Sequence, residues 1–406
     1  MKVAVVGAGW AGLAAAVDLT RRGAAVTLYE AGRVAGGRGR SVTIDGRTLD
    51  NGQHLLLGAY RETLALMRSV GSDPDALFDR RPLQVVDHDG FRLALPSWPA
   101  PFNVAWGLLT AATVSLPEKL KTALWMQRVK WRGFRLTRDE SVADWLDAAG
   151  QTGVLRQKLW DPLCLAALNT PAERASAQLF ANVLRDSLGS PRRADTDLLL
   201  PRVPFGELLP EPACRWLTEN GATLRFGHRV RSVADACVDG EAYDAVIVAV
   251  APQHVGALLP EIDADFDYEP IATVYLQFAA NTRLPFPLLH LGGNTGAWAV
   301  DRGNGLFGCA ISGQGDWESL SDEALAAEIE TALGLGPADW RQVIREKRAT
   351  FCSRPQLTRP SHITADPRLV LAGDYTWADY PATLEGAVRS GLRAAEIVLE
   401  SNGAAV

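Results

Sequence analysis

An α/β fold is what this sequence predicts, and three observations near its amino terminus predict it. Lys2 to Val6 is a short β-branched run of the kind that forms a buried parallel strand. The glycine-rich Gly7-Ala8-Gly9-Trp10-Ala11-Gly12 follows at once, and Leu13 to Arg22 is alanine-rich and helical in character. Ala25 to Tyr29 then reads as a second strand ending on Glu30. Strand, glycine turn, helix and strand make a βαβ unit with G-x-G-x-x-G at its first turn.

Each part of that unit has a physical use. Gly7 permits the tight turn, Gly9 lets the backbone approach a pyrophosphate, and Gly12 allows the helix to pack closely on the sheet. The helix N-terminus adds partial positive charge. Glu30 is placed to accept hydrogen bonds from an adenosine ribose, and its charge disfavours a 2′-phosphate. Because strand, helix, second strand and acid fall in register, the fingerprint marks a dinucleotide site, and the charge of Glu30 argues against NADP there. The next segment, Ala35-Gly36-Gly37-Arg38-Gly39-Arg40-Ser41, can bring further amides and a guanidinium onto the same pyrophosphate. A simple nicotinamide dehydrogenase does not need this second clamp.

The remaining elements extend the scheme. Ser41 to Ile44 is a short strand, followed by Asp50-Asn51-Gly52-Gln53-His54-Leu55-Leu56-Leu57, an abrupt change from polar to apolar. Ala222 to Arg225 and Tyr243 to Pro252 read as mid-chain strands. Thr273 to Phe278 alternates like another. Leu369 to Ala372 is a buried strand ending on Gly373-Asp374, and a helix is expected from Ala382 through Gly391. Asp374 can hold a ribityl or phosphate hydroxyl. The helix N-terminus near Thr383 and Leu384 can direct its dipole at the N1–C2=O edge of a flavin, which gains negative charge on reduction.

The bulk properties exclude several classes. With 406 residues and a net charge of -6, the chain is large enough for two domains and too acidic for a general nucleic-acid binder. Its five cysteines are dispersed, with no metal-ligand spacing, so no metal site and no disulfide framework are expected. The amino terminus enters a strand directly, without a secretory signal, and a cytoplasmic protein is expected. Val104 to Leu116 is apolar but shorter than the ~20 residues of a membrane span, so it is expected to form one buried or interfacial helix. Residues 119–138 carry seven basic and no acidic residues, interleaved with Trp125 and Trp131. Such a block suits either a solvated helix face or an anionic membrane surface on the inner side of the cytoplasmic membrane.

GAGWAGLAAA, LYEA and GGR at one end, with LAGDYTWADYPATLEGAVRSG at the other, resemble the FAD-dependent amine oxidase and phytoene desaturase superfamily. This resemblance implies FAD and a discontinuous Rossmann-like domain formed by residues 1–59, 198–265 and 349–406. A substrate domain of mixed sheet and helices would comprise 60–197, expected to be helical, and 266–348, with a membrane-facing part at about 100–138. The resemblance also implies cofactor contacts at Gly7, Ala8, Gly9, Trp10, Ala11, Gly12, Glu30, Ala31, Gly36, Gly37, Arg38, Gly52, Gln53, His54, Val230, Gly373, Asp374, Thr383 and Leu384. Val230 would face the adenine through its backbone, and Gly52 to His54 would pass the reactive face of the flavin.

A narrower resemblance lies in DNGQHLLLGAY, WDPLCLAALNTP and RVPFGE, which look like the squalene-associated subfamily containing the hydroxysqualene dehydroxylases of bacterial hopanoid and squalene synthesis. It implies a reductive reaction in which hydroxysqualene and reduced FAD give squalene, water and oxidised FAD. The hydroxyl is allylic, so its loss leaves a delocalised cation that can accept hydride from flavin N5. An apolar tunnel is then required, together with a donor near the leaving oxygen, for which His54 and Tyr380 are the candidates. Asp50 is expected to anchor a turn. Two other readings use the same fold: an oxidative polyprenoid desaturase, and a non-catalytic prenyl-lipid carrier. Amine oxidation is disfavoured because no aromatic pair for an amine cage stands out. No second nicotinamide fingerprint is present, so a separate partner or a free reductant is expected to reduce the FAD.

Overall fold

The computed structural model describes residues 1–403 apart from 88 and 294. Its first layer is a five-stranded parallel sheet in the order Thr223–Phe226, Ala25–Glu30, Lys2–Val6, Ala245–Val248, Leu369–Leu371. The strands come from three remote stretches of the chain. Side chains alternate across a strand, so Val3 and Val5 face one core while Ala4 and Val6 face another. The first core is closed by the helices Trp10–Arg21, Pro210–Glu219 and Leu384–Gly403. The second is closed by a three-stranded antiparallel meander over 233–242 and by Tyr375. The carboxy-terminal helix lies directly on the first helix. A Cβ at Gly391 would come within 2.1 Å of the Ala11 carbonyl oxygen, so only glycine allows this approach. That helix starts at Leu384, two residues later than expected, because Thr383 serves as its cap: the Gly386 N–H donates to Thr383 Oγ1 at 3.1 Å.

A second, antiparallel sheet runs in the order Leu288–His290, Trp298–Asp301, Leu306–Ser312, Tyr268–Gln277, Trp340–Phe351. The alternation seen in Thr273 to Phe278 has a double use. Ala272, Val274 and Leu276 pack into the core shared with the helix Asp322–Leu333. Thr273, Tyr275 and Gln277 face the other way, onto the 47–53 segment. Thr273 Oγ1 accepts the Gln53 N–H at 2.9 Å, and Tyr275 donates to the Asp50 carbonyl at 3.0 Å. Arg47 donates to Gln277 Oε1 at 3.2 Å.

The third layer holds the helices Phe102–Thr110, Leu116–Trp131, Val142–Ala148, Asp161–Leu168 and Ala177–Asp186. Two expectations need correction here. The 60–197 stretch is not wholly helical, since Phe78–Arg81, Gln84–Val86 and Arg92–Ala94 are strands. The apolar run Val104 to Leu116 is also not one helix. The chain breaks at 111–115, where Thr113 has φ of 62°, and Pro117 restarts the helix in its first turn, a position that tolerates a missing N–H. Among the described residues, no helix is long and apolar enough to cross a membrane.

Candidate active site

A cavity of about 1120 Å3 extends from the first βαβ turn into the helical layer. It brings together Gly7, Gly9, Trp10, Ala11, Glu30, Ala31, Gly36, Gly37, Arg38, Gly52, Gln53, His54, Val230, Gly373, Asp374, Tyr380, Thr383 and Leu384. Two residues expected at the cofactor do not line it. Ala8 spends its N–H on Glu30, and Gly12 sits beneath the turn, where a Cβ would fall 1.9 Å from the Gly7 carbonyl oxygen.

At the polar end, the helix Trp10–Arg21 begins on Gly9 with no side-chain cap, which leaves first-turn amides available to an anion. A Cβ at Gly9 would have no atom within 4 Å, so the position opens onto cavity space. The Gly36 N–H donates to the Ala8 carbonyl at 2.8 Å and ties the second glycine loop beside the first. Glu30 is oriented by the N–H groups of Ala8, at 2.8 Å, and Gly32, at 2.6 Å. Amides, an oriented acid and a backbone cradle form a donor set that fits the phosphates and ribose of a dinucleotide. Arg38 departs from the expected clamp. Its guanidinium donates to Asp374 at 2.6 Å and to the Ala349 carbonyl at 2.8 Å, because the carboxylate repays the desolvation of the charge. The pair thus links the two ends of the chain at the cavity wall.

The Asp50–Leu57 segment marks the change of environment. Asp50 is buried and accepts from Arg302 at 2.7 Å and from the Phe205 N–H at 2.7 Å, which gives it the anchoring geometry expected. His54 Nδ1 lies 2.6 Å from the Gly52 carbonyl, so this nitrogen carries the proton, and the ring packs on Phe205 at 4.7 Å. Burial lowers the imidazole's pKa, although Asp50 and the Gly52 carbonyl pull the other way. A neutral ring protonated at Nδ1 has its one N–H engaged by Gly52 and presents a lone pair at Nε2 that can accept a hydrogen bond. Leu55 and Leu57 line the cavity, whereas Leu56 turns into the core beneath the parallel sheet. The strand Leu56–Leu57 pairs with Leu198–Leu199, which imposes this alternation. Beyond it the lining is hydrocarbon: Leu83, Val85, Leu159, Leu163, Leu198, Leu288 and Trp298.

Tyr380 sits at the same junction and donates to Asp186 Oδ2 at 2.5 Å. Burial and this bond push the phenol's pKa up, so Tyr380 keeps its proton at neutral pH. For Asp186, burial alone would favour the acid form. The bonds from Arg185, at 2.7 and 3.0 Å, and from Tyr380 outweigh it and hold the carboxylate's pKa below its usual range. A polar recess of about 210 Å3, which includes Arg61, Arg185 and Arg389, adjoins the cavity at Ala59, Asp186 and Tyr380. Sequence reasoning missed Asp186, Arg302 and Trp298. A lone acid near a helix C-terminus, an arginine after a strand and one more tryptophan carry no local signal that separates them from ordinary surface and core residues.

A parallel sheet with this glycine loop, carrying a dinucleotide cradle that opens into an apolar chamber, defines a flavoprotein oxidoreductase. Residues 10–399 match the family model described as flavin containing amine oxidoreductase, and the chain belongs to that family. Its cofactor is FAD, and it is an FAD-dependent oxidoreductase. It is 32% identical to hydroxysqualene dehydroxylase from Rhodopseudomonas palustris, over 99% of each chain. It is 26% identical to a probable zeta-carotene desaturase from Synechococcus elongatus, over 100% of each chain. Among solved structures, an oxidoreductase from Methanosarcina mazei matches 98% of this chain and 100% of its own, with a TM-score of 0.70 and 16% identity. That likeness concerns the fold.

Proposed function

We propose that this enzyme removes the hydroxyl group of hydroxysqualene reductively, giving squalene and water. The observation that carries the reading is the single cavity that changes from amides and charged groups to hydrocarbon across His54–Leu57, with Tyr380 and Asp186 at the change. The full-length similarity to the R. palustris enzyme supports it. In this reading Glu30 holds the adenosine ribose, and the backbone of Val230 lies at the adenine. Amides from Gly9 to Ala11 and at Gly36 and Gly37 hold the pyrophosphate. Asp374, fixed by Arg38, would take a ribityl hydroxyl, and the helix start at Thr383 and Leu384 would offer its dipole to the flavin ring. When bound and reduced, FAD supplies the hydride that replaces the departing hydroxyl.

The chain's own residues do the rest. Leu57, Leu83, Leu159 and Leu198 bury the hydrocarbon and exclude water. On substrate binding the single Tyr380 O–H turns from Asp186 Oδ2 to the leaving oxygen and gives it the proton that makes water, and the phenol regains a proton from solvent through the polar recess. The Asp186 carboxylate behind it offsets positive charge on the allylic carbon, an interaction that gains strength in an apolar site. The adjoining polar recess gives the released water a way out. His54 holds the Gly52 turn in place through Nδ1.

Anaerobic incubation of the reduced enzyme with hydroxysqualene, and in parallel of the oxidised enzyme with squalene, tests the reading. Squalene formed from the alcohol, identified by mass, is the expected product. Hydrogen loss from a polyprenoid by the oxidised enzyme, with no reaction of the alcohol, would instead support a desaturase. The similarity to the S. elongatus protein favours that second reading.

A further inference from the structure

We infer that the two helices Phe102–Thr110 and Leu116–Trp131 form a surface that docks on an anionic lipid bilayer. Both helices turn large apolar side chains to the outside, where a soluble amphipathic helix carries its polar face. On the first, Phe102, Trp106 and Leu109 are exposed, while the polar Asn103 and Gly107 are buried. On the second, Leu116, Leu120, Leu124 and Trp131 recur at helical spacing on the exposed side, whereas Thr122, Trp125 and Val129 are buried. Exposure along these stripes runs from 43% at Trp106 to 78% at Trp131. Trp98 stands beside Trp106, with ring centroids 4.9 Å apart, and continues the apolar surface. Large apolar side chains clustered on one exposed face in this way mark an interaction surface.

Charge selects the occupant. The chain as a whole carries -6, yet residues 119–138 contain seven lysines and arginines and no acid. Lys121, Arg128, Lys130, Arg132 and Arg135 are exposed, and none is in an ion pair among the described residues. A second copy of the chain meeting this face across a two-fold axis would set basic groups against basic groups. A bilayer with anionic headgroups satisfies both features, taking the apolar stripes into its interfacial region and the cations at its surface. The helices are too short to span, so they would lie in the interface plane. Their buried faces support the same layer that lines the hydrocarbon end of the cavity. Trp125 and Val129 belong to one apolar cluster with Leu83, Val85, Leu159 and Leu288.

Co-sedimentation of the FAD-loaded full chain with vesicles tests it. Binding to vesicles of mixed phosphatidylglycerol and phosphatidylcholine is expected, and binding to pure phosphatidylcholine should be at least about tenfold weaker. The triple variants Trp106→Ser/Leu120→Ser/Leu124→Ser and Lys121→Glu/Arg128→Glu/Lys130→Glu should each lose about tenfold or more on the anionic vesicles. For the unmodified protein, quenching of tryptophan fluorescence by brominated acyl chains reports insertion without any substitution. Absence of vesicle binding, or quenching no greater than with unbrominated lipid, would overturn the proposal. So would a dimer in solution that the apolar triple variant converts to monomer, because the face would then be a contact between copies.

Discussion

At the scale of single residues, the site is governed by which protons are held where. Tyr380 is a protonated phenol resting on an ionised Asp186, and this pairing is the arrangement that the proposed chemistry uses. Tyr380→Phe and Asp186→Asn should each lower single-turnover reoxidation of the reduced enzyme by hydroxysqualene by about 10²-fold while leaving bound FAD unchanged. His54→Ala should fall by only a few-fold, corresponding to about 1 kcal/mol. A larger loss would return His54 to the chemistry. His362 is the residue whose ionisation bears on stability. Burial lowers its pKa to about 4, below the ordinary imidazole value of 6.5, while its Nε2 lies 3.2 Å from both Ser390 and Thr376. Between those two values the unfolded chain binds a proton that the folded chain refuses. Stability from this source is therefore complete above pH 6.5 and is lost as pH falls towards 4. Ser390 also accepts the Gly373 N–H at 2.8 Å, so acidification should loosen the Gly373–Asp374 turn. Thermal midpoints and free-flavin fluorescence recorded from pH 7 to 4 should show both effects, with a shallower slope in His362→Gln.

At the scale of elements, spacing decides which side of a wall a residue serves. Leu56 and Leu57 are adjacent and chemically identical, yet one belongs to the core and the other to the cavity. Leu56→Ala should destabilise the fold by about 2–5 kcal/mol, seen as a lower midpoint in denaturant. Leu57→Ala should cost less stability and act mainly by raising KM for the lipid. Equal stability losses at the two positions would contradict the alternation. The βαβ unit, its glycine loop and the Ser41–Ile44 strand were all legible, because each rests on local periodicity and turn chemistry. The broken helix at 111–115 was less so. Its apolar composition is uniform, and only the backbone at Thr113 and the restart at Pro117 divide it.

At the scale of the whole molecule, a few buried charged contacts hold the layers in register around the cavity. Asp50 and Arg302 are 252 residues apart and join the loop after the first βαβ unit to the antiparallel sheet. Asp50→Asn would leave a nearly buried guanidinium without its counter-ion. Unfolding stability should fall by about 3–5 kcal/mol as a result. Glu385 plays a comparable part: its carboxylate accepts from the N–H groups of Glu62 and Thr63 at 3.1 and 3.0 Å, fastening the helix Arg61–Ser69 to the carboxy-terminal helix. Electron supply is also a property of the whole chain. We propose that a separate partner or free reductant reduces the FAD, since the sequence has no second nicotinamide fingerprint. Stopped-flow mixing with NADPH alone should therefore give slow reduction, and a rapid phase would contradict the proposal.

The sequence by itself determined the α/β class, the dinucleotide loop and the change from polar to apolar lining after Asp50. Each of these is written in contiguous residues whose spacing and backbone needs are local. Tertiary structure alone decided that Arg38 would meet Asp374, that Asp186 would stand behind Tyr380, and that Arg302 would neutralise Asp50. These partners lie 336, 194 and 252 positions apart. No local pattern links them, and their charges become informative only when folding removes them from water and each must find its opposite.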